Sequence, residues 1–377
     1  SIPRSTYQEC AEYIASEMAL AAKDLPLSRG ANEIVKPTKG AALSIRARAY
    51  LYAASPLFNG NTDSWAKQLV DDTGRSLINE VEDESLWAKA AAAAKDVIDL
   101  GRYELNTASV RSTGTGLSYP ATIKPPFHPD YSDKNFPDGW ADIDPFESYR
   151  QIFNSDMAAS NNPELIYTHA QAQPGETVQA LVCHQYPRSL NGWNTHGVTL
   201  KQADAYYMND GTDYPAYGHP DPATAPRPNA NVFTADATES LPLPANVSKE
   251  YADREPRFYA SIAYNGSIWN VENSPVDKNM RDRQVFYYRG SQDGRLSSSP
   301  GFYLRTGIGV KKFVHPRAYL IDSHNYSELT KKADPDIRSA EILLISSEAL
   351  NEITKSLTIP TYLGDGRITL SRIPRPI

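Results

Sequence analysis

Apolar residues recur at three- and four-residue intervals in five separate stretches of the chain, and each stretch predicts an amphipathic helix. In 5–25 the inward face is Tyr7, Ala11, Ile14, Met18, Ala21 and Leu25, and Ser5 and Gln8 have the spacing of a capping box. In 39–54 the face is Ala42, Ile45, Ala49 and Tyr52, with Thr38 at the N-cap. Ser55-Pro56 ends this helix, because proline disfavours helical geometry at the residue before it. Its many alanines keep it thin enough for neighbours to approach closely, while Arg46 and Arg48 carry charge on other faces. In 85–100, Trp87, Ala91, Ala94 and Ile98 align, and Gly101 sits where a helix stops. A shorter helix is predicted at 198–209 with Leu200, Ala203, Tyr206 and Tyr207 inward, and a long one at 336–355 on Ile337, Ala340, Leu344, Ser347 and Leu350. Thin helices flanked by amphipathic ones are the unit of a helical-repeat scaffold, in which stacked pairs share one core.

Between these stretches the periodicity is lost. Residues 103–160 are rich in Pro, Gly, Asp and aromatics, among them Tyr119, Phe127, Tyr131, Phe136, Trp140, Phe146 and Tyr149. An unpatterned run this long is functional or disordered, and its aromatic content argues for ordered, irregular surface structure. A strand-like run begins at 162–167, 189–197 is a loop on composition, and 212–248 is irregular. Residues 257–269 read as a hairpin turned at Asn265-Gly266, with a second strand pair near 284–288 and 301–304. The closing 356–377 shows neither a helix nor a clear strand. The fold class expected is mostly α: a tetratricopeptide-like helical-repeat scaffold with long irregular loops and a few short β-hairpins. It is expected to form a single domain over 1–377, with scaffold at 1–105 and 336–355 and a loop-rich ligand-binding region at 106–335.

Charge narrows the partners. The net charge is −7 without a basic run, which gives no general attraction to nucleic acid or to an anionic membrane surface. The 28 prolines and 23 tyrosines beside four methionines fit an extracellular, sugar-rich setting. Cys10 and Cys183 form either one disulfide or two buried thiols. Polar residues precede Cys10, so it lacks the apolar run of a lipid-attachment signal. No stretch of ~20 apolar residues is present to span a bilayer.

No catalytic constellation stands out, and no metal or cofactor is expected. The seven histidines lack metal-ligand spacing. Cys183 and His184 are adjacent, which in a strand would send them to opposite faces. Asp138, Asp142 and Asp144 read as a solvated acidic loop rather than a Ca²⁺ site. The aromatic loops are different. A sugar ring needs a flat aromatic surface for its C–H face and planar amides, carboxylates or guanidinium groups for its hydroxyls. Trp193 has both kinds of group around it, so Trp193, Asn191, Asn194 and Tyr186 are the first candidate platform. The second is the loop with Trp140, Tyr119 and Phe127. Trp65 and Trp269 read as packing residues.

Several segments, taken in order, resemble the SusD/RagB family. They are RARAYLYAASPLFNG (46–60), WAKAAAAAKDVIDLGRYEL (87–105), NNPELIY (161–167), ADAYYMNDG (203–211), DREPRFYASIAYNGSIW (253–269), GFYLRTGIGVKKF (301–313) and IRSAEILLISSEALNE (337–352). The resemblance implies a non-catalytic, glycan-binding outer-membrane lipoprotein on the surface of Bacteroidetes-type bacteria. It would capture oligo- or polysaccharide for a SusC-like, TonB-dependent transporter in nutrient uptake. Family members carry roughly one more helical pair before this start, after the lipidated cysteine, and a tail rich in Glu, Arg and aromatics after the last helix. The resemblance therefore implies truncation at both ends, with the anchor outside this sequence. Two alternatives stand beside it: a peptide-binding member of the same family, and an α-helical glycoside hydrolase or lyase.

Overall fold

Thr6, one residue after the expected Ser5, caps the first helix. Its Oγ1 accepts from Glu9 N at 3.1 Å, and Glu9 Oε2 accepts from Thr6 N at 2.8 Å. The structure, a computed structural model, describes residues 3–112, 122–169, 178–221, 223–237, 242–269, 271, 281–298, 301–322, 325, 327–330, 332–362 and 367–370. The helices are α1 (Tyr7–Asp24), α2 (Lys39–Ala54), α3 (Ser85–Ile98), α4 (Pro145–Asn154), α5 (Val178–Leu181), α6 (Leu200–Asp204), α7 (Pro256–Ser261) and α8 (Ser339–Glu352). The strands are β1 (Leu165–His169), β2 (Ile262–Ala263), β3 (Ser267–Trp269), β4 (Arg283–Val285), β5 (Gly309–Val310), β6 (Asp334–Arg338), β7 (Leu357–Pro360) and β8 (Arg367–Leu370). The protein is mostly helical, and among the described residues the strands form four pairs: β1–β6, β2–β5, β3–β4 and β7–β8. The chain divides into two compact units, 1–105 with 159–169 and 335–377, and 106–158 with 170–334.

In the first unit α1, α2, α3 and α8 pack in succession around one core. Alanine makes the close approach possible: Ala88 and Ala90 to Ala94 of α3 are all buried, as are Ala47, Ala53 and Ala54 of α2. Leu43, Tyr50, Leu86, Trp87, Ile342 and Ile345 fill the remaining space. Gly40 is required by contact, since a Cβ there would stand 2.2 Å from the Tyr103 hydroxyl.

The inward faces differ from the sequence expectation in a consistent way. Ile14, Tyr52, Ile98 and Leu344 point out, whereas Ala15, Tyr50, Val97, Ile342, Ile345 and Ala349 point in. Where helices touch closely the small residues define the contact, so ranking positions by hydrophobicity rotates the stripe. The last helix also begins later, at Ser339, because 334–338 extend as β6 against β1. Residues 357–360 and 367–370 form an antiparallel pair where no clear strand was expected.

Charges also tie the helices of this unit together. Arg46 Nη1 meets the buried Asp96 Oδ2 at 2.5 Å, and Asp96 also accepts the Tyr362 N–H at 2.9 Å. Arg48 grips Glu341 with two contacts of 2.7 Å. Arg338 reaches Glu164 at 2.6 Å.

The second unit has two apolar clusters, one around Tyr186, Trp269 and Leu320, the other around Phe146, Phe258 and Tyr264. Helix α4 lies inside the stretch expected to be irregular. Its start is legible in retrospect: Asp144 Oδ1 accepts from Glu147 N at 3.1 Å, and Pro145 occupies the first turn. The predicted 198–209 helix shortens to α6, leaving Tyr207 exposed. The predicted 257–269 hairpin is corrected. Pro256 starts α7, and the Asn265-Gly266 turn joins β2 and β3, which pair with β5 and β4 rather than with each other. Cys10 is exposed and Cys183 buried, both as free thiols, so neither earlier alternative describes them. Among the described residues, no helix is long and apolar enough to cross a membrane.

Candidate functional site

The first candidate platform is a loop folded back on itself. Trp193 N donates to Cys183 O at 2.9 Å and Asn194 N to Tyr186 O at 3.0 Å. Asn191 and Asn194 take left-handed φ values of 64° and 51°, a region asparagine tolerates better than most residues. Gly192 has no room for a side chain, because a Cβ would stand 2.1 Å from Tyr186 O. Tyr186 is fully buried; its hydroxyl donates to Ala318 O at 3.0 Å, and burial drives its ionisation far up. Asn194 is also fully buried, its Nδ2 donating to Asp293 O at 2.8 Å. Asn191 Nδ2 donates to the carbonyls of Leu320 and Ile321 at 3.0 and 3.1 Å. The structure thus brings the four candidates together while placing Tyr186 and Asn194 inside. Trp193 is partly buried against the Tyr186 cluster, with the His184 ring edge-on at 4.4 Å and His196 stacked on His184 at 4.7 Å.

The second candidate loop is built more openly. Phe127 is 71% exposed and Tyr131 46% exposed, and Trp140 is partly buried. The Tyr131 and Trp140 rings lie 5.6 Å apart at 35°, with His128 4.8 Å from Tyr131. Tyr119 lies outside the described residues. Backbone bonds hold the rings in place: Trp140 N donates to Tyr131 O at 3.2 Å, and Asp142 Oδ1 accepts from Phe136 N at 2.8 Å. Gly139 is enclosed, since a Cβ would meet Tyr131 O at 2.1 Å and Lys134 O at 2.5 Å. Asp144, buried and bonded to Arg111 at 3.1 Å and Thr122 at 2.7 Å, is a packing residue rather than part of a solvated acidic loop. Exposed, preset rings flanked by Lys134, Asp138 and Asn135 suit the apolar face and hydroxyl rim of a sugar.

Two cavities in the same unit escaped the sequence reading. One of about 360 Å³ is lined by Tyr251, Tyr287, Tyr288, Asn265, Arg227 and Glu250, among others. Arg227 pairs with Asp204 at 2.5 Å, and burial raises the Glu250 carboxyl against the pull of Arg227. The other, about 480 Å³, is ringed by Asp210, Asp213, Glu250 and Asp253 beside Lys249 and Tyr214. The lining residues come from segments far apart in sequence, so no local motif announces either cavity. Among the described residues, no group of three or more His, Cys, Asp or Glu is placed to hold a metal ion.

Comparison with known proteins supplies the context for these surfaces. The sequence profile of the SusD family matches residues 150–365. No curated protein matches the chain. Among solved structures, a SusD-like protein from Bacteroides fragilis NCTC 9343 has 24% identity and a TM-score of 0.54, the match covering 93% of this chain and 50% of that one. A protein named BT4246 has 22% identity and a TM-score of 0.62, covering 99% and 61%. A SusD-like carbohydrate-binding protein, also from Bacteroides fragilis NCTC 9343, has 19% identity and a TM-score of 0.50, covering 93% and 47%. The chain therefore spans about half to three-fifths of the length of the structures it matches. At these identities the likeness is one of fold.

Proposed function

The chain belongs to the SusD family, and on that premise we propose that it is a non-catalytic glycan-binding protein of the bacterial cell surface. It captures oligo- or polysaccharide and passes it to a SusC-like, TonB-dependent transporter, and a lipid anchor holds it at the outer membrane. The observation that carries the reading is the aromatic loop: exposed Tyr131 and the adjoining Trp140, whose spacing a backbone bond fixes, with Phe127 exposed on the same loop. Fixed rings lose little conformational freedom on binding, which is what a stacking platform requires. Trp193, with His184 and His196 beside it, offers a second, smaller aromatic surface.

The test is a calorimetric titration of the whole chain against a broad panel of polysaccharides and peptides, with assay for new reducing ends. Saturable binding of a polysaccharide that stays intact supports the proposal. New reducing ends would make the protein an enzyme, and binding of peptides alone would assign it the other ligand class.

A further inference from the structure

Although the whole chain is acidic, residues 281–317 contain eight Lys and Arg against two Asp, and one of those, Asp293, is buried. The fold leaves Arg281, Arg289, Arg295 and Arg305 exposed, and none of the four has a carboxylate partner among the described residues. Two of them are set around one ring. The guanidinium carbons of Arg295 and Arg305 lie 5.8 and 5.5 Å from the centroid of Tyr303. A tight turn fixes the neighbouring segment: Gly290 N donates to Arg295 O at 3.2 Å, and at Gly294 a Cβ would stand 1.8 Å from Tyr288 O. Tyr288, 59% exposed, and Thr306 line the 360 Å³ cavity, and each is followed or preceded directly by an arginine, Arg289 and Arg305.

Arg305 Nη1 also donates to the Tyr303 hydroxyl at 3.4 Å, and guanidinium groups without a carboxylate partner around a tyrosine are a recognisable chemistry. The planar fork of arginine matches a carboxylate or sulfate with two parallel hydrogen bonds, and the ring between the forks presents an apolar face to sugar C–H groups. We propose that the Arg295–Tyr303–Arg305 surface, with Tyr288 and the cavity beside it, is a binding site for acidic polysaccharide, one bearing carboxylate or sulfate groups. The proposal rests on the glycan reading for the class of polymer and adds its charge. Nucleic acid phosphates could meet the same guanidinium groups, and the test separates them from an acidic polysaccharide.

The test titrates the whole chain with polygalacturonate, dextran sulfate, unmodified dextran and single-stranded DNA, and repeats each with the variant Arg295→Gln/Arg305→Gln. At least one acidic glycan is expected to bind, with affinity falling at least tenfold in the variant and falling further as salt rises. Which of the two binds separates carboxylate from sulfate as the group recognised. The variant should melt with the parent, because both side chains are exposed. Undiminished binding of the acidic glycan by the variant would overturn the proposal, as would DNA binding as tightly. If neither acidic polymer binds, the proposal falls, while binding of a neutral polysaccharide from the wider panel would leave the glycan reading standing.

Discussion

Arg48 and Glu341 lie 293 positions apart in sequence, yet they meet fork to carboxylate, with both contacts at 2.7 Å. The pair ties α2 to α8 at the partly exposed edge of the helical core. Arg46, two residues earlier, makes the deeper contact with buried Asp96. Burial raises the Asp96 carboxyl, and the Tyr362 N–H and Arg46 work against that rise. Breaking a buried pair strands a charge and costs about 3–5 kcal/mol, whereas an exposed pair contributes about 0.2–1 kcal/mol. Asp96→Ala is therefore expected to lower the urea midpoint far more than Glu341→Ala. Equal losses would show that Asp96 is not the anchor.

Glycine substitutions should divide by what a Cβ would meet. Gly192→Ala drives a methyl group into the Tyr186 carbonyl and is expected to cost about 1–3 kcal/mol, with a shift in tryptophan fluorescence as the Trp193 loop opens. Gly30→Ala meets nothing within 4 Å at a negative φ and should leave stability unchanged or raise it by up to about 1 kcal/mol. Thermal melts of the two variants would check this, and a stable Gly192→Ala would contradict it.

Stability should rise with pH above neutrality. Burial, helped by Arg150, pushes Lys311 down to about 8, and burial pushes Lys332 down to about 7 against the pull of Asp156, from the ordinary lysine value of 10.5. Between these folded values and the ordinary lysine range the unfolded chain binds more protons than the folded one, so unfolding becomes harder as pH increases. Below pH 7 both states are charged and that gain is lost. The denaturation midpoint should be higher at pH 9 than at pH 7, and the Lys311→Met/Lys332→Met variant should flatten the slope. An unchanged slope would assign the pH dependence to other groups.

Trp193→Ala separates packing from display. A residue that serves only as a platform leaves the melting temperature nearly unchanged when it is removed. With the indole partly buried against the Tyr186 cluster, its loss is expected to cost roughly 1–2 kcal/mol of apolar burial. Tyr131→Ala, at an exposed ring, should melt close to the parent. Identical melts for both variants would place Trp193 in solvent.

Helices α1, α2, α3 and α8 were legible because their periodicity is local, whereas α4 and α7 fell in stretches read as irregular and as a hairpin. Helix α2 occupies 39–54 as the Thr38 cap and Ser55-Pro56 stop indicate. Their inward faces were less so, since Ala88 and Ala90 to Ala94 carry the contact while Ile98 and Leu344 do not. In the 191–197 loop, asparagine and glycine looked like surface chemistry. They are there largely for backbone geometry, at the left-handed positions of Asn191 and Asn194 and in the closed seat of Gly192. The Arg295–Tyr303–Arg305 grouping was invisible because its charges are spread along an acidic chain and gather only through the turn at 288–295.

The most direct measurement titrates the Tyr131→Ala/Trp140→Ala variant calorimetrically against a polysaccharide that the parent chain binds. Each stacked ring contributes roughly 0.5–1.5 kcal/mol beyond area burial, judged from aromatic pairs, and about 1.4 kcal/mol is a factor of ten. The affinity is expected to fall at least tenfold while the fold, followed by circular dichroism, stays intact. An unchanged Kd in a folded variant would contradict the glycan platform at this loop.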